Sequence, residues 1–139
     1  MYEKGGKYFV KREYRKRVKI GLTGGVFDGI HLGHVKMLYE AKSYVDILVV
    51  AVARDEVARK KRAPLHNQRE RVELVNALKP VDLAIAGKEE KRLTIERVLP
   101  DIIFYGYDQP PMEFNYPAKF IRLTAYAPER LKTTHFRKL

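Results

Sequence analysis

The chain has 139 residues, a formal net charge of +11 and no cysteine. Its length predicts one domain around one core, and the absence of thiols excludes a disulfide framework and cysteine chemistry. Apolar residues at 45% and charged residues at 32% fit a soluble globular protein. No apolar run reaches the roughly 20 residues of a spanning helix, and the N-terminus lacks the apolar centre of a signal peptide, so we expect a cytoplasmic protein and no membrane partner. The positive charge predicts anionic partners; nucleic acid, acidic surfaces and phosphorylated small molecules all qualify, and charge alone does not choose among them.

Residues 1–17 read as a basic N-terminal extension and residues 18–139 as the main domain. Lys11, Arg12, Arg15, Lys16 and Arg17 form a basic cluster with Tyr8, Phe9 and Tyr14 interleaved. Such a segment can serve as an arm for nucleic acid or a phosphorylated substrate. The plainer reading, which we favour, is a solvated strand or helix whose aromatics pack on the domain or on a second subunit.

The stretch Lys19 to His34, KIGLTGGVFDGIHLGH, reads as a strand, a glycine turn and a helix start. Gly24 and Gly25 permit a sharp turn and close approach of a ligand to the main chain. A helix is predicted from about His31 to Ser43. His31 and His34 then share one side of its first turn, where unpaired N–H groups and the helix dipole favour an anion. Glycines, amides and two imidazoles at a helix start suit phosphate. Two other readings stand beside this one: a pair of metal ligands, which would need carboxylates from elsewhere, and two satisfied core histidines.

Downstream, Ile47 to Ala53 (ILVVAVA) is a continuous apolar run that suits a strand buried on both faces of a parallel sheet. Strand, helix and strand in this order predict a right-handed βαβ unit, with ligands gathered beyond the carboxyl ends of the strands. Arg54 to His66 is irregular and basic, with a helix expected to end near Arg62, ahead of Pro64. Lys60, Lys61 and Arg62 in it read equally as a loop closing over a triphosphate and as a solvated charge run. Asn67 to Leu78 is a predicted helix with Asn67 as N-cap and Glu70 at the capping-box position. Arg71 falls on its apolar face with Val75 and Leu78, which calls for an anionic partner, either a protein carboxylate or a ligand phosphate. Further strands are predicted over Val81–Ala86, Ile102–Tyr105 and Phe120–Leu123, with a helix over Leu93–Leu99. Asp108 follows a strand end, where it suits a ribose or a base or is an ordinary turn aspartate. Tyr126 to Thr134 is a loop, and Thr133 or Thr134 can cap a basic tail helix.

Gly25-Val26-Phe27-Asp28 followed by His31-Leu32-Gly33-His34 resembles the G-x-F-D and H-x-G-H signature of the cytidylyltransferase-like nucleotidyltransferases, with Val26 where Thr or Ser is common. The resemblance covers most of the chain from Lys19 onward. It implies a Rossmann-like (HUP-type) three-layer α/β sandwich with a mostly parallel five-stranded sheet, and the order of strands and helices agrees independently. It implies that His31, His34 and Arg71 are catalytic. The nucleotide would then contact Gly25, Val26, Phe27, Asp28, His31, Gly33, His34, Asp108, Tyr126, Thr133 and Thr134. The last two lie in Leu131-Lys132-Thr133-Thr134-His135, which matches the family's Ser/Thr-rich phosphate segment only in part.

The chemistry implied is transfer of a nucleoside monophosphate from a triphosphate to a phosphorylated small molecule, with release of pyrophosphate. No metal site made by protein alone is expected; Mg²⁺ would arrive with the nucleotide. Ala53-Arg54-Asp55-Glu56, Ala77 to Asp82 and Gly106-Tyr107-Asp108-Gln109 look most like archaeal FAD synthases, which join ATP to flavin mononucleotide. The alternatives are a CTP-dependent glycerol-3-phosphate or related cytidylyltransferase, and a sugar-phosphate nucleotidyltransferase of lipopolysaccharide-core type. From another class, a nucleic-acid-binding module using the basic arm is the competing reading. A homodimer is expected.

Overall fold

The apolar run after the first long helix becomes β4 (Ile47–Val52), and it sits inside the sheet as its composition demands. In this computed structural model, which describes residues 1–4, 7–60, 62–106 and 115–124, β4 pairs with β3 (Ile20–Gly25) on one side and β5 (Leu83–Ala86) on the other. Beyond β3 come β6 (Ile102–Tyr105) and β7 (Lys119–Arg122). The order is β5-β4-β3-β6-β7, and every pairing is parallel. This is the Rossmann-like architecture the sequence predicts. The chain winds outward from β3 to β5 and then resumes on the far side at β6. That reversal makes a topological switch point at β3 and β6, where a crevice opens beyond the strand ends.

Alternation along the strands splits the core in two. Leu48, Val50, Val52 and Phe104 face α2 (Leu32–Lys42) and α4 (Gln68–Asn76), packing with Leu38, Ala41 and Val75. Ile20, Leu22, Val49 and Ile103 face the other way, onto Ile95 of α5 (Lys91–Val98). The three layers are therefore α2 with α4, the sheet, and α5. Gly21 carries no side chain because Phe104 and Val45 fill that space; a Cβ there would lie 2.6 Å from the Phe104 ring.

Element ends depart from the sequence reading for local reasons. Asn67 caps α4, and Asn67 and Glu70 bond each other's backbone N–H in a capping box. The strand expected from Val81 begins at Leu83, because Asp82 turns its carboxylate onto the Leu48 N–H (2.7 Å) and Lys42 Nζ (2.6 Å). α5 starts at Lys91 and stops where Leu99 takes a left-handed φ of 51°. The helix expected to end ahead of Pro64 is the short α3 (Asp55–Arg59).

The N-terminal extension forms its own antiparallel hairpin, β1 (Tyr2–Lys4) with β2 (Lys7–Phe9), followed by one turn of helix, α1 (Arg12–Arg15). It is fastened to the domain through Arg15, whose guanidinium donates to Asp101 Oδ2 (3.1 Å), Val18 O (3.0 Å) and Leu99 O (2.7 Å). Val10 packs on the α5-side core. Asp101 also accepts the Ile20 N–H (2.9 Å), so this anchorage lies at the amino ends of β3 and β6, opposite the glycine turn. Among the described residues no helix is long and apolar enough to cross a membrane.

Candidate active site

β3 ends at Gly25, and the chain then folds back on itself. Phe27 takes a positive φ of 53° and Gly29 one of 80°. The reversal turns the Phe27 ring back beneath the strand end: a Cβ on Gly25 would stand 2.8 Å from Phe27 Cε2. Phe27 is buried and meets the His34 imidazole edge-on, with ring centroids 5.6 Å apart. A glycine at position 25 and an aromatic at 27 thus make one unit whose upper surface carries His34.

His31 and His34 are stacked, centroids 3.9 Å apart with planes at 28°. They also cap α2. His31 Nδ1 accepts the Gly33 N–H (3.1 Å), and His34 Nδ1 accepts the His31 N–H (3.2 Å). This is the reciprocal arrangement that Ser or Thr and Glu or Gln ordinarily make at a helix start. It fixes the imidazole tautomer, because a ring nitrogen that accepts a hydrogen bond carries no proton. Each neutral histidine therefore holds its proton on Nε2, the nitrogen that can donate to a phosphate oxygen. The Gly33 amide, at one of the positions the resemblance assigns to the nucleotide, donates here to His31.

Burial lowers the His31 pKa below its ordinary value of 6.5, since withdrawal from water penalises the imidazolium. The neutral form is thus the resident one near neutrality. With the folded-state pKa depressed, the unfolded chain takes up the proton first as pH falls. The stabilisation is complete above 6.5 and is lost as pH drops through the folded value. Protonation also places a hydrogen on Nδ1 and removes the acceptor for Gly33. We expect the melting temperature to fall along an acid limb centred below 6.5. That limb should shrink in His31→Asn, because asparagine caps a helix without titrating. Melts of both proteins across pH check this; an identical limb in both would assign it to another group.

Arg71 meets a protein carboxylate, one of the two partners its sequence position calls for. Its side chain is 0% exposed. Nε donates to His66 O (3.1 Å), Nη1 to Val26 O (2.8 Å) and Ala53 O (2.9 Å), and Nη2 to Asp55 Oδ1 (2.8 Å). Those four bonds use four of the five N–H groups of a guanidinium. Its partners are a protein carboxylate and three carbonyls, the first of the two kinds of partner the sequence left open, and together they make a clasp. It ties the glycine turn, the end of β4, α3 and the loop before α4 into one piece. Asp28 does related work. It is buried, and its carboxylate accepts the N–H groups of Leu65 (2.9 Å) and His66 (3.2 Å). Asp28 therefore orders the loop over the site from its place in the cleft wall.

These elements surround a cleft of about 640 Å³ beyond the strand ends. Gly24, Gly25, Val26, Phe27, Asp28 and His34 line it, and so do Lys60 and Arg62 of the basic loop. Lys61, Asp108, Tyr126, Thr133 and Thr134 lie outside the described residues. Arg54 and Lys88 also line the cleft. Neither is among the site residues expected from the sequence, although each follows the end of a strand, the place where ligands gather in such sheets. Gln68, likewise outside that set, bridges two strand ends by donating to Val52 O (2.9 Å) and Gly87 O (3.3 Å). Among the described residues no three His, Asp or Glu side chains cluster to hold a metal ion.

A parallel sheet with a switch point, a double-glycine turn and a helix capped by two histidines together place this chain among the Rossmann-like α/β domains. Residues 22–127 match the model of the cytidylyltransferase-like family, and the chain belongs to that family. It is 53% identical over 90 residues to a protein of Thermoplasma acidophilum named FAD synthase, an alignment that covers 63% of each chain. It is 45% identical over 104 residues to a Thermoplasma volcanium protein of the same name, covering 73% of each. The chain thus spans less than two thirds of the length of the first of these relatives. The fold also matches a crystal structure of a protein named as the lipopolysaccharide core biosynthesis protein of Thermoplasma volcanium. That likeness has a TM-score of 0.74 and 38% identity, and covers 78% of this chain and 98% of that one.

Proposed function

We propose that this protein is a nucleotidyltransferase that joins a nucleoside monophosphate to a phosphorylated small molecule and releases pyrophosphate, with ATP as donor and flavin mononucleotide as acceptor. The observation that carries the reading is the pair of Nε2-protonated histidines beside a glycine turn at the switch point. The relatives named FAD synthase support the choice of substrates. An attacking phosphate is already ionised, so the reaction needs no general base. What it needs is alignment, and neutralisation of charge gathering on the α-phosphate and the leaving group. His34 Nε2–H, with His31 stacked behind it, donates to those oxygens. Lys60 and Arg62 close over the triphosphate from the loop that Asp28 and Arg71 hold. A divalent cation, which we take to be Mg²⁺, enters on the triphosphate and offsets its charge. A cytoplasmic homodimer is part of the proposal.

The likeness to the Thermoplasma volcanium protein named for lipopolysaccharide core biosynthesis favours one second reading, a sugar-phosphate acceptor; CTP with glycerol 3-phosphate is the other nucleotidyl pair to exclude. Pyrophosphate release is measured with ATP and CTP, each against flavin mononucleotide, glycerol 3-phosphate and a sugar phosphate. We expect kcat/KM to be highest for ATP with flavin mononucleotide. A preference for CTP, or absence of flavin product, would overturn the substrate choice. A nucleic-acid module using the basic arm would instead show salt-sensitive binding that survives loss of both histidines.

A further inference from the structure

The cleft is chemically lopsided about β3. Toward β6 and β7 it is lined by Ile103, Phe104, Gly106 and Leu123, a largely apolar wall suited to a base. Toward β4 and β5 the small and apolar Ala51, Ala53, Val57 and Ala58 also line it, but the cations Arg54, Lys88 and Lys91 gather there, with Glu89 between them in sequence. Register fixes how these cations stand relative to the glycine turn. Gly25 pairs with Val52, and the Ala53 N–H donates to Gly25 O (2.9 Å), so Arg54 follows directly on the neighbouring strand end. Val52 in turn pairs with Ala86, and the Gly87 N–H donates to Val52 O (2.8 Å), which brings Lys88 to the next strand end. Neighbouring strands are about 4.8 Å apart. The Arg54 backbone is thus one strand from the phosphate-binding turn and the Lys88 backbone two. The Lys88 N–H is steadied by Thr94 Oγ1 (3.3 Å).

Arg54 also carries an unmet demand. Its Nε is buried and has no hydrogen-bond partner among the described residues. Among the described residues its Nη1 pairs with two carboxylates, Glu56 at 3.2 Å and Glu89 at 3.8 Å, whose side chains are 58% and 80% exposed. A buried N–H without an acceptor is unfavourable, and the Nε–Nη edge of a guanidinium is shaped to take two oxygens of one phosphate.

We propose that Arg54, with Lys88 beside it, is the acceptor-phosphate site: it grips the phosphate monoester of the second substrate next to the triphosphate. The inference rests on the nucleotidyl-transfer reading above and adds to it the place and chemistry of the acceptor. One non-bridging oxygen of the acceptor phosphate forms a bond to the α-phosphorus. The bond from that phosphorus to the oxygen leading to the β-phosphorus breaks, and its electron pair leaves with pyrophosphate. No proton or redox partner is required. Arg54 holds the oxygens that do not attack, and so aims the one that does.

The test uses the full chain as wild type, Arg54→Gln and Arg54→Lys. Pyrophosphate release is followed while ATP and flavin mononucleotide are varied in turn. In parallel, inorganic phosphate is titrated by calorimetry into protein holding α,β-methylene-ATP, which cannot react. Arg54→Gln should raise the acceptor KM and the phosphate Kd at least about tenfold, the scale of losing a charge-assisted pair of bonds, while the KM for ATP stays within about twofold. Arg54→Lys should recover part of the loss. An unchanged acceptor KM and phosphate Kd, or an equal loss for ATP, overturns the assignment. Should wild type release no pyrophosphate with any acceptor, the nucleotidyl-transfer reading fails, and the phosphate titration still decides for or against Arg54. A ligand-free melt accompanies each variant; if Arg54→Gln does not fold, the Lys variant carries the comparison.

Discussion

Arg71→Met should lower the melting temperature of the ligand-free protein by roughly 10–20 °C, the shift expected when about 3–5 kcal/mol is lost from a domain of this size. The size follows from what stays behind. Val26, Ala53 and His66 would lose the donor to their carbonyls, and Asp55 would lose its cation. The Asp55 side chain is 31% exposed and regains some water, which favours the lower half of that range. Lysine keeps the charge but offers a single nitrogen in place of a planar fork. Arg71→Lys should therefore be intermediate, since one ammonium cannot reach acceptors on the glycine turn, β4, α3 and the α4 approach together. The measurement is a thermal melt without ligand, paired with a nucleotide titration well below the transition. Affinity per folded molecule is expected to stay close to wild type in the Lys variant. A normal melt with lost nucleotide affinity would return Arg71 to the phosphates.

The same residue shows where sequence reading stops. An arginine at helical spacing with Val75 announces a buried charge, but not its partner. Asp55 stands on another helix, and the carbonyls of Val26, Ala53 and His66 are free to accept only because three separate loops converge. The parallel order of the sheet was legible because each strand is a short apolar run followed by helix signals, and Asn67 with Glu70 spelled out its own cap. The imidazole cap of α2 was not, since a capping box is sought among hydroxyl and carboxylate residues. The fastening of the N-terminal extension was equally hidden. It depends on Arg15 meeting Asp101 across most of the chain, a pairing that no local pattern encodes. Asp108 and the threonines at 133 and 134 lie outside the described residues, so their place in the site rests on the resemblance alone.

His34→Ala should reduce turnover by roughly 10²-fold or more, the usual effect of removing one donor aimed at transition-state charge. The capping geometry adds a second effect. Alanine also removes the acceptor for the His31 N–H, half of the capping box, which costs about 0.5–2 kcal/mol of stability. The imidazole further covers the Phe27 ring, so a fall in activity could come from a loosened turn or from a missing donor. Glutamine separates the two, because it is a standard residue at this position of a capping box and restores the acceptor to the His31 N–H. His34→Gln should melt close to wild type and yet stay far below it in turnover, since its amide cannot present a donor at the imidazole Nε2 position while its oxygen serves the cap. The comparison needs melts and single-turnover rates for both variants with ATP and flavin mononucleotide. Recovery of turnover in step with stability would reduce His34 to a helix cap; stability restored without turnover leaves its Nε2–H as the catalytic donor.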